Sequence, residues 1–161
     1  MPPLDIRSLF PDDAAQASIL VLASFERFIA PDWEAAARAT FVAESGPEAL
    51  RDAIATASCA LGAFDGERML GLALMPRPSL LKMLFVEPAA ARQGIGRSLW
   101  EALRAQVGAG VQTIELNASP YAVPFYRALG FAPISREYTH AGCRATRMAC
   151  WLPARALGAE P

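Results

Sequence analysis

The stretch from Leu80 to Trp100 constrains the fold more than any other part of the sequence. Its first seven residues, Leu80 to Val86, form an apolar run with the length and composition of a buried strand. Pro88 then ends ladder pairing, because proline has no N–H to donate. From Ile95 onward, apolar residues recur at helical spacing. The stretch therefore predicts a strand, a turn that contains two glycines, and an amphipathic helix.

The turn that holds Gly94 and Gly96 predicts a binding site for a phosphate group. The first N–H groups of a helix have no partner within the helix, and the helix dipole favours an anion beside them. Glycines let the anion approach the backbone closely. The turn is not a P-loop, because no lysine follows Gly96, and Leu99 stands where a dinucleotide site would need its third glycine. On these residues alone, a tight turn without a ligand is the alternative.

Two longer motifs extend this pattern. Val86-x-Pro88, followed by Arg92-Gln-Gly-Ile-Gly-Arg-x-Leu99, resembles the acetyl-CoA-binding signature of the GNAT superfamily of N-acetyltransferases. Ile114 to Phe131 resembles the next strand and helix of that family and ends in its Phe-Tyr-x-x-x-Gly-Phe pattern. The resemblance implies an α/β, GNAT-like acyl-CoA N-acyltransferase fold, with a central mixed, mostly antiparallel sheet of about seven strands flanked by helices.

The resemblance also implies which residues bind the co-substrate acetyl-CoA. They come from the strand, the turn, the end of the following strand and the helix after it: Leu84, Phe85, Val86, Ala91, Arg92, Gln93, Gly94, Ile95, Gly96, Arg97, Asn117 and Tyr126. The sequence departs from the family at Ala91, where Gln or Arg is usual. Arg92 or Arg97 could supply the missing charge. For Asn117, capping of the next helix is the alternative to coenzyme contact.

Acetyl transfer from a thioester to an amine needs a base for the amine, a hydrogen-bond donor for the carbonyl oxygen, and a proton for the departing thiolate. The resemblance implies that the Leu84 amide faces the carbonyl oxygen and that Tyr126 donates the proton. A packing role on an amphipathic helix is the alternative for Tyr126. Glu137 is the predicted base. The other possibilities are a water chain without a dedicated base and three further side chains, Glu87, Tyr138 and His140.

The N-terminal helices are expected to form the wall of the acceptor site. Phe28 and Trp33 flank the helix break at Pro31-Asp32, where side chains could line a pocket, and Glu26 could hold an ammonium group. Packing between helices is the alternative for the two aromatic residues. No feature of the sequence identifies one particular amine, so the acceptor is predicted only as a small molecule or a peptide.

Length, composition and charge narrow the class of protein. The 161 residues, 53% hydrophobic and 19% charged, predict one globular domain over residues 1–153 with a frayed tail at 154–161. A net charge of −1 without a basic block argues against nucleic-acid binding. We expect no membrane span, no secretory signal and no metal site, and we expect reduced thiols, a cytoplasmic location and a monomer or homodimer.

Elsewhere the pattern predicts the remaining elements of an α/β domain. Strands are expected at residues 3–9, 80–86 and 111–117, with hairpins at 58–75 and 131–151. The predicted hairpin turns are Asp65-Gly66 and Ala141-Gly142. Helices are expected from Asp12 or Asp13 as the N-cap, after Trp33 to about residue 44, and over 47–57, 94–107 and 120–129.

These observations predict an acetyl-CoA-dependent N-acetyltransferase that uses direct transfer in a ternary complex. Two alternatives stay open. One is a non-catalytic module that binds acyl-CoA, and the other is a transferase that uses a different acyl-CoA. The presence of Tyr126 favours the enzyme, whereas Ala91 favours the binding module.

Overall fold

The computed structural model describes residues 3–153, so the predicted tail at 154–161 lies outside the described residues. In chain order the strands and helices are β1 (Asp5–Ser8), α1 (Ala14–Phe28), α2 (Ala35–Glu44), α3 (Pro47–Thr56), β2 (Cys59–Asp65), β3 (Arg68–Met75), β4 (Met83–Val86), α4 (Ile95–Gln106), β5 (Thr113–Ala118), α5 (Val123–Ala128), β6 (Ala132–Pro133), β7 (Tyr138–His140) and β8 (Cys143–Trp151). Single 3₁₀ turns precede α1, α2, α4 and α5.

The sheet consists of two antiparallel halves. In the first half the strand order is β1-β2-β3-β4, and in the second it is β5-β8-β6, with β7 also paired to β8. The halves meet at one parallel bridge, where the Leu81 N–H donates to the Glu115 carbonyl at 3.0 Å and the Glu115 N–H donates to the Ser79 carbonyl at 2.9 Å. The predicted α/β fold with a mixed, mostly antiparallel sheet is confirmed.

The apolar run from Leu80 to Val86 changes neighbours in its middle. Residues 79–81 pair with β5, but the Lys82 N–H donates to the Leu74 carbonyl of β3 at 3.0 Å. From Met83 onward the run is antiparallel to β3. The prediction of one continuous strand over 80–86 is therefore corrected, because the chain changes partner and β4 diverges from β5.

Helices cover both faces of the first half-sheet. On one face, Leu99, Trp100 and Leu103 of α4 are buried against Leu61 and Ala73 of the sheet, together with other side chains of the same cluster. On the other face, α1 and α3 bury side chains such as Val21 and Leu50 against Leu72 and Phe85. The helical spacing of apolar residues that predicted these helices reflects this burial.

The sequence predicts Asp12 or Asp13 as the N-cap of α1, and Asp13 occupies that position. Its carboxylate, however, accepts no hydrogen bond from the first turn of the helix. It accepts the Phe10 N–H at 2.8 Å and pairs with the Arg7 guanidinium at 2.9 Å. The hydrogen bond from Arg7 lowers the pKa of this carboxyl group. Asp13 therefore fixes the turn that leads from β1 into α1.

The C-terminal strands are shorter than predicted. β6 has two residues that pair with β8, and β7 begins only at Tyr138, so residues 131–139 are not one strand. The predicted turn at Ala141-Gly142 is present, and both residues have a positive φ, 49° and 80°. The Gly142 carbonyl accepts the Glu34 N–H at 2.9 Å, which attaches this hairpin to the start of α2.

Within residues 3–153, no helix has the length and apolar character needed to cross a bilayer. The three cysteines, Cys59, Cys143 and Cys150, are unpaired thiols.

Candidate active site

The turn before α4 exposes a run of unpaired backbone N–H groups. The helical ladder begins with the Ser98 N–H, which donates to the Gly94 carbonyl at 3.0 Å. The six amides from Arg92 to Arg97 donate no hydrogen bond to any described residue. Arg92 and Gly94 have positive φ values of 64° and 81°. Consecutive N–H groups in such a turn, at the positive end of a helix, form a concave site for an anion.

The two glycines of this turn are required for different reasons. Around Gly94 there is open space, because a Cβ there would meet no atom within 4 Å. A Cβ on Gly96 would lie 2.9 Å from the Phe125 Cζ atom and 3.7 Å from the Val86 Cγ2 atom. Gly94 is favoured by its φ of 81°, which glycine adopts without strain, whereas Gly96 lets the Phe125 ring of α5 lie close to α4. The expected role of both glycines in the approach of the phosphate stays a prediction.

The edge of β4 that faces β5 carries unpaired amides. The Glu87 N–H donates to the Leu70 carbonyl of β3 at 2.8 Å, and Phe85 is in register with Leu72. Because alternate residues of an antiparallel strand point their N–H groups to the same side, the N–H groups of Leu84 and Val86 point away from β3. No hydrogen bond between described residues joins them to β5, and the Leu84 side chain is half-buried. The predicted open edge is thus present where the two half-sheets diverge.

Tyr126 lies on α5 with its side chain buried. Its ring contacts those of Phe125 and Phe131, with centroids 5.2 and 5.5 Å away. Burial raises the pKa of its phenol above the ordinary value, and its hydroxyl makes no hydrogen bond to any described residue. Nearby in the chain, Asn117 is the exposed next-to-last residue of β5, and its Oδ1 atom accepts a hydrogen bond from the Tyr138 hydroxyl at 3.2 Å.

A cleft of about 610 Å³ opens between the end of α1 and the turn before α4. Its residues come from α1 and the turn after it, from the β4–α4 connection and from the β5–α5 connection: Arg27, Phe28, Pro31, Asp32, Pro88, Ala91, Arg92 and Tyr121. The rings of Phe28 and Tyr121 are stacked, with centroids 4.6 Å apart. Of the predicted acceptor residues, only Phe28 lines this cleft.

Trp33 and Glu26 lie elsewhere. Trp33 packs edge-on against Phe25 and Phe41, with ring centroids 5.3 and 5.8 Å away, and its Nε1 atom is buried without a hydrogen-bond partner. Glu26 is exposed on α1 and is not among the residues that line the cleft. Trp33 therefore belongs to an aromatic cluster, and its role at the acceptor stays a prediction.

Glu137, the predicted base, is held in an ion pair. Its carboxylate accepts hydrogen bonds from the Arg144 guanidinium, the shorter at 3.1 Å. The same guanidinium pairs with Asp32, a residue of the cleft, at 3.1 Å. Arg144 thus connects the α1–α2 turn to the β7–β8 hairpin.

A sequence model of the acetyltransferase (GNAT) domain matches residues 29–152. The chain belongs to the GNAT acetyltransferase family. The predictions of the family and of an acyltransferase enzyme are thereby confirmed. The match covers most of the chain, including the turn before α4, the β4 edge and α5.

Solved structures have the same fold as this GNAT domain. A GCN5-related N-acetyltransferase from Rhodopseudomonas palustris is 24% identical with a TM-score of 0.82, and the match covers 94% of this chain and 98% of that one. The PaiA N-acetyltransferase from Thermoplasma acidophilum, solved in complex with coenzyme A, is 19% identical with a TM-score of 0.76, over 93% and 99% of the chains. An aminoglycoside 6'-N-acetyltransferase, also complexed with coenzyme A, is 17% identical with a TM-score of 0.70, over 94% and 99%.

The sequence reasoning missed three residues around the site of this GNAT domain, namely Arg27, Tyr121 and Arg144. Tyr121 follows Pro120 in a predicted helix start, a signal that points only to a turn. In the sequence, Arg27 and Arg144 cannot be told apart from other surface arginines. Arg27 lines the cleft together with Arg92, and Arg144 forms an ion pair with Asp32, so each lies beside a residue far away in the chain. Among residues 3–153, no group of three or more His, Cys, Asp and Glu side chains is arranged to hold a metal ion.

Proposed function

We propose that this GNAT domain is an N-acetyltransferase that moves an acetyl group from acetyl-CoA to a primary amine, by direct transfer in a ternary complex. One observation carries the proposal. The six unpaired amides from Arg92 to Arg97 lie beside a strand edge whose own amides are free. A diphosphate with an extended amide-containing arm would satisfy both sets of donors, which matches the chemistry of coenzyme A.

The donor would be bound mainly by backbone. Amides of the turn, from Arg92 to Arg97, would hold the diphosphate, and the open space at Gly94 leaves room for it. The backbone of Phe85 and Val86 would pair with the pantetheine arm, and Asn117 is the proposed contact at the end of β5. Because these groups are fixed by the fold, they need little reorganisation when the donor binds.

Two groups would assist the chemical step. The Leu84 amide would donate to the carbonyl oxygen as it gains negative charge, and a donor of this kind is worth about 3 to 4 kcal/mol of barrier. The Tyr126 hydroxyl would donate its proton to the departing thiolate. The raised pKa of Tyr126 keeps the phenol protonated at neutral pH, as an acid requires.

Removal of the amine proton is the least constrained step. Glu137 stays the proposed base, and both of its carboxylate oxygens accept hydrogen bonds from Arg144, which an acceptor amine would have to displace or share. A chain of water molecules would serve the same purpose without a dedicated residue. The pH dependence of kcat/KM for Glu137→Gln separates the two routes.

The acceptor is proposed as a primary amine of a small molecule or a peptide. Phe28, in the stacked pair with Tyr121, supplies an apolar surface for it within the cleft. Trp33 and Glu26 stay predictions for this role. The proposed place of action is the cytoplasm, where thiols such as those of the three cysteines stay reduced, and the proposed assembly is a monomer or a homodimer.

A thiol-release assay with acetyl-CoA tests this function over a panel of amines, polyamines, amino acids, aminoglycosides and peptide N-termini. Release that depends on one acceptor class supports the proposal. Tight calorimetric binding of coenzyme A without release for any acceptor would favour the non-catalytic module. Faster release from a longer acyl-CoA than from acetyl-CoA would favour the other donor.

A further inference from the structure

The cleft between α1 and the turn before α4 has an arginine on each of two walls. Arg92 belongs to the turn that carries the unpaired amides, and Arg27 belongs to the last turn of α1. Both side chains are exposed, and neither forms an ion pair with a described residue. Two unpaired guanidinium groups that line one cleft favour a ligand with more than one negative charge.

The one carboxylate that lines the cleft does not compensate these charges. Asp32 is already paired with Arg144 at 3.1 Å. Arg27 has only a contact with the ring of Phe28, whose centroid lies 5.9 Å from the guanidinium carbon. That ring is stacked on Tyr121 from the β5–α5 connection, which anchors the end of α1 across the cleft. The end of α1 that carries Arg27 is therefore held beside the cleft, while the guanidinium group forms no ion pair with a described residue.

Ala91 lines the same cleft and is the position where the signature usually has a longer polar side chain. An alanine there leaves the site short of one side-chain contact to a phosphate. Arg97 does not compensate on this side, because its guanidinium reaches towards the Ala128 carbonyl of α5 at 3.4 Å. Arg27 is the cationic side chain that reaches the cleft from another element.

We propose that Arg27 is a donor-binding residue, which contacts the diphosphate of the acyl-CoA from the α1 wall and takes the place of the side chain missing at Ala91. This inference rests on the proposed function. It makes α1 a part of the donor site, in addition to its packing against the sheet. An arginine suits this role, because its planar group can bind two phosphate oxygens at once.

Calorimetric titration with three probes tests the role of Arg27. The probes are coenzyme A, dephospho-coenzyme A, which keeps the diphosphate but lacks the 3'-phosphate, and pantetheine, which lacks both. Arg27→Gln is expected to weaken binding of the first two probes about tenfold, as for the loss of one partly exposed charge-assisted contact, and to leave pantetheine binding unchanged. Arg27→Lys is expected to keep part of the affinity.

Arg38→Gln is the matched control, because Arg38 is an exposed arginine of α2 outside the cleft. It is expected to bind all three probes like the wild type. Unchanged affinity in Arg27→Gln would overturn the inference, as would an effect confined to coenzyme A, which would place Arg27 at the 3'-phosphate. If the wild type itself binds no coenzyme A, the proposed function fails, whereas normal binding by Arg27→Gln refutes only the role of Arg27.

Discussion

Tyr126 combines a buried ring with a hydroxyl that has no hydrogen-bond partner among residues 3–153. We expect Tyr126→Phe to lower kcat by about 10²- to 10⁴-fold with little change in the Kd of acetyl-CoA, because the ring keeps its packing and only the acid is lost. Because the pKa of the phenol is raised by burial, the kcat of the wild type should not fall at alkaline pH below about 10 through this group. Near-normal turnover in Tyr126→Phe, with chemistry rate-limiting, would return Tyr126 to a packing role.

Gly96 and Gly94 offer a second test at the scale of single residues. A Cβ on Gly96 would lie 2.9 Å from the Cζ atom of Phe125, an exposed ring that would have to move aside, which costs about 1 kcal/mol or less. We expect Phe125→Ala to relieve most of the destabilisation caused by Gly96→Ala, as a double-mutant cycle of urea unfolding would measure. Alanine is a better helix former than glycine by about 1 kcal/mol, and this gain opposes the cost of the contact with Phe125. The coupling energy between the two substitutions therefore reports the contact, whereas the effect of Gly96→Ala alone does not.

Gly94→Ala is the comparison for that cycle. Its φ of 81° costs about 1 to 2 kcal/mol for a residue with a Cβ, but no atom lies within 4 Å of that Cβ. We therefore expect no coupling to Phe125→Ala and a weaker Kd for coenzyme A. Equal coupling at both positions would contradict the separate roles of the two glycines.

The difference between these glycines also marks what could be predicted residue by residue. The need for glycine in the turn follows from the local pattern, since strand, turn and helix are successive. The collision at Gly96 depends on Phe125, which lies 29 positions later in the chain, and no local pattern reports that distance. Arg27 and Arg92 lie even further apart in the chain and meet only through the cleft.

At the scale of elements, the aromatic cluster of Trp33, Phe25 and Phe41 connects the start of α2 to α1. If packing in this cluster is the whole role of the half-buried Trp33, Trp33→Ala will lower the free energy of unfolding by about 3 kcal/mol while the acceptor KM measured at low temperature stays unchanged. Trp33→Phe should cost only about 1 kcal/mol, because it removes the buried N–H that has no partner. A raised acceptor KM in a stable Trp33→Phe variant would restore Trp33 to the acceptor site.

Arg144 connects two elements through its exposed ion pairs with Asp32 and Glu137. We expect Arg144→Ala to change stability by about 1 kcal/mol or less, as exposed pairs do, and to raise the acceptor KM several-fold without changing the Kd of coenzyme A. Arg51→Ala removes another exposed pair, with Asp12, outside the cleft, and should alter neither constant. An unchanged acceptor KM in Arg144→Ala would show that this connection has no part in acceptor binding.

The element order was predictable because most helices bury one apolar face and the strands are short and bounded by turn residues. The change of partner strand within Leu80–Val86 could not be predicted. The sequence of an apolar run is the same whether its residues pair with β5 or with β3. The single predicted strand at 131–139 failed for a related reason. Ala132 and Pro133 pair with β8 there, and the Ile134 N–H donates to the Arg147 carbonyl at 2.8 Å. Ser135 then interrupts the ladder by accepting the Arg147 N–H with its hydroxyl oxygen at 3.0 Å, and pairing with β8 resumes at Tyr138.

At the scale of the whole molecule, the two half-sheets share one parallel bridge, and the proposed donor site lies where they diverge. A ligand that binds the folded chain alone stabilises it by about 2.7 kcal/mol at 100 times its Kd. Saturating acetyl-CoA should therefore raise the Tm by about 5 to 10 °C in a thermal scan. Adenosine at the same concentration lacks the diphosphate and the pantetheine arm and should give no comparable rise. Equal shifts with both compounds would contradict the proposed donor site.

The GNAT fold as a whole was predictable from residues 80–131, because the turn and the Phe-Tyr-x-x-x-Gly-Phe pattern lie in the order and spacing of the family. The acceptor side was not. The proposed acceptor side brings together the α1–α2 turn and the β7–β8 hairpin, which are more than 100 positions apart and are joined by Arg144 and by the contact of Gly142 with Glu34.

The free edge of β4 also has a pharmacological consequence. A strand with one unpaired edge can bind an extended, peptide-like chain through backbone hydrogen bonds, as in β-strand addition. The amides of Leu84 and Val86 are two residues apart, so their spacing is about 6.6 to 6.8 Å along the strand. A compound with two carbonyl oxygens at that spacing, joined to a phosphonate that reaches the turn before α4, would compete with the donor and needs no resemblance to the acceptor.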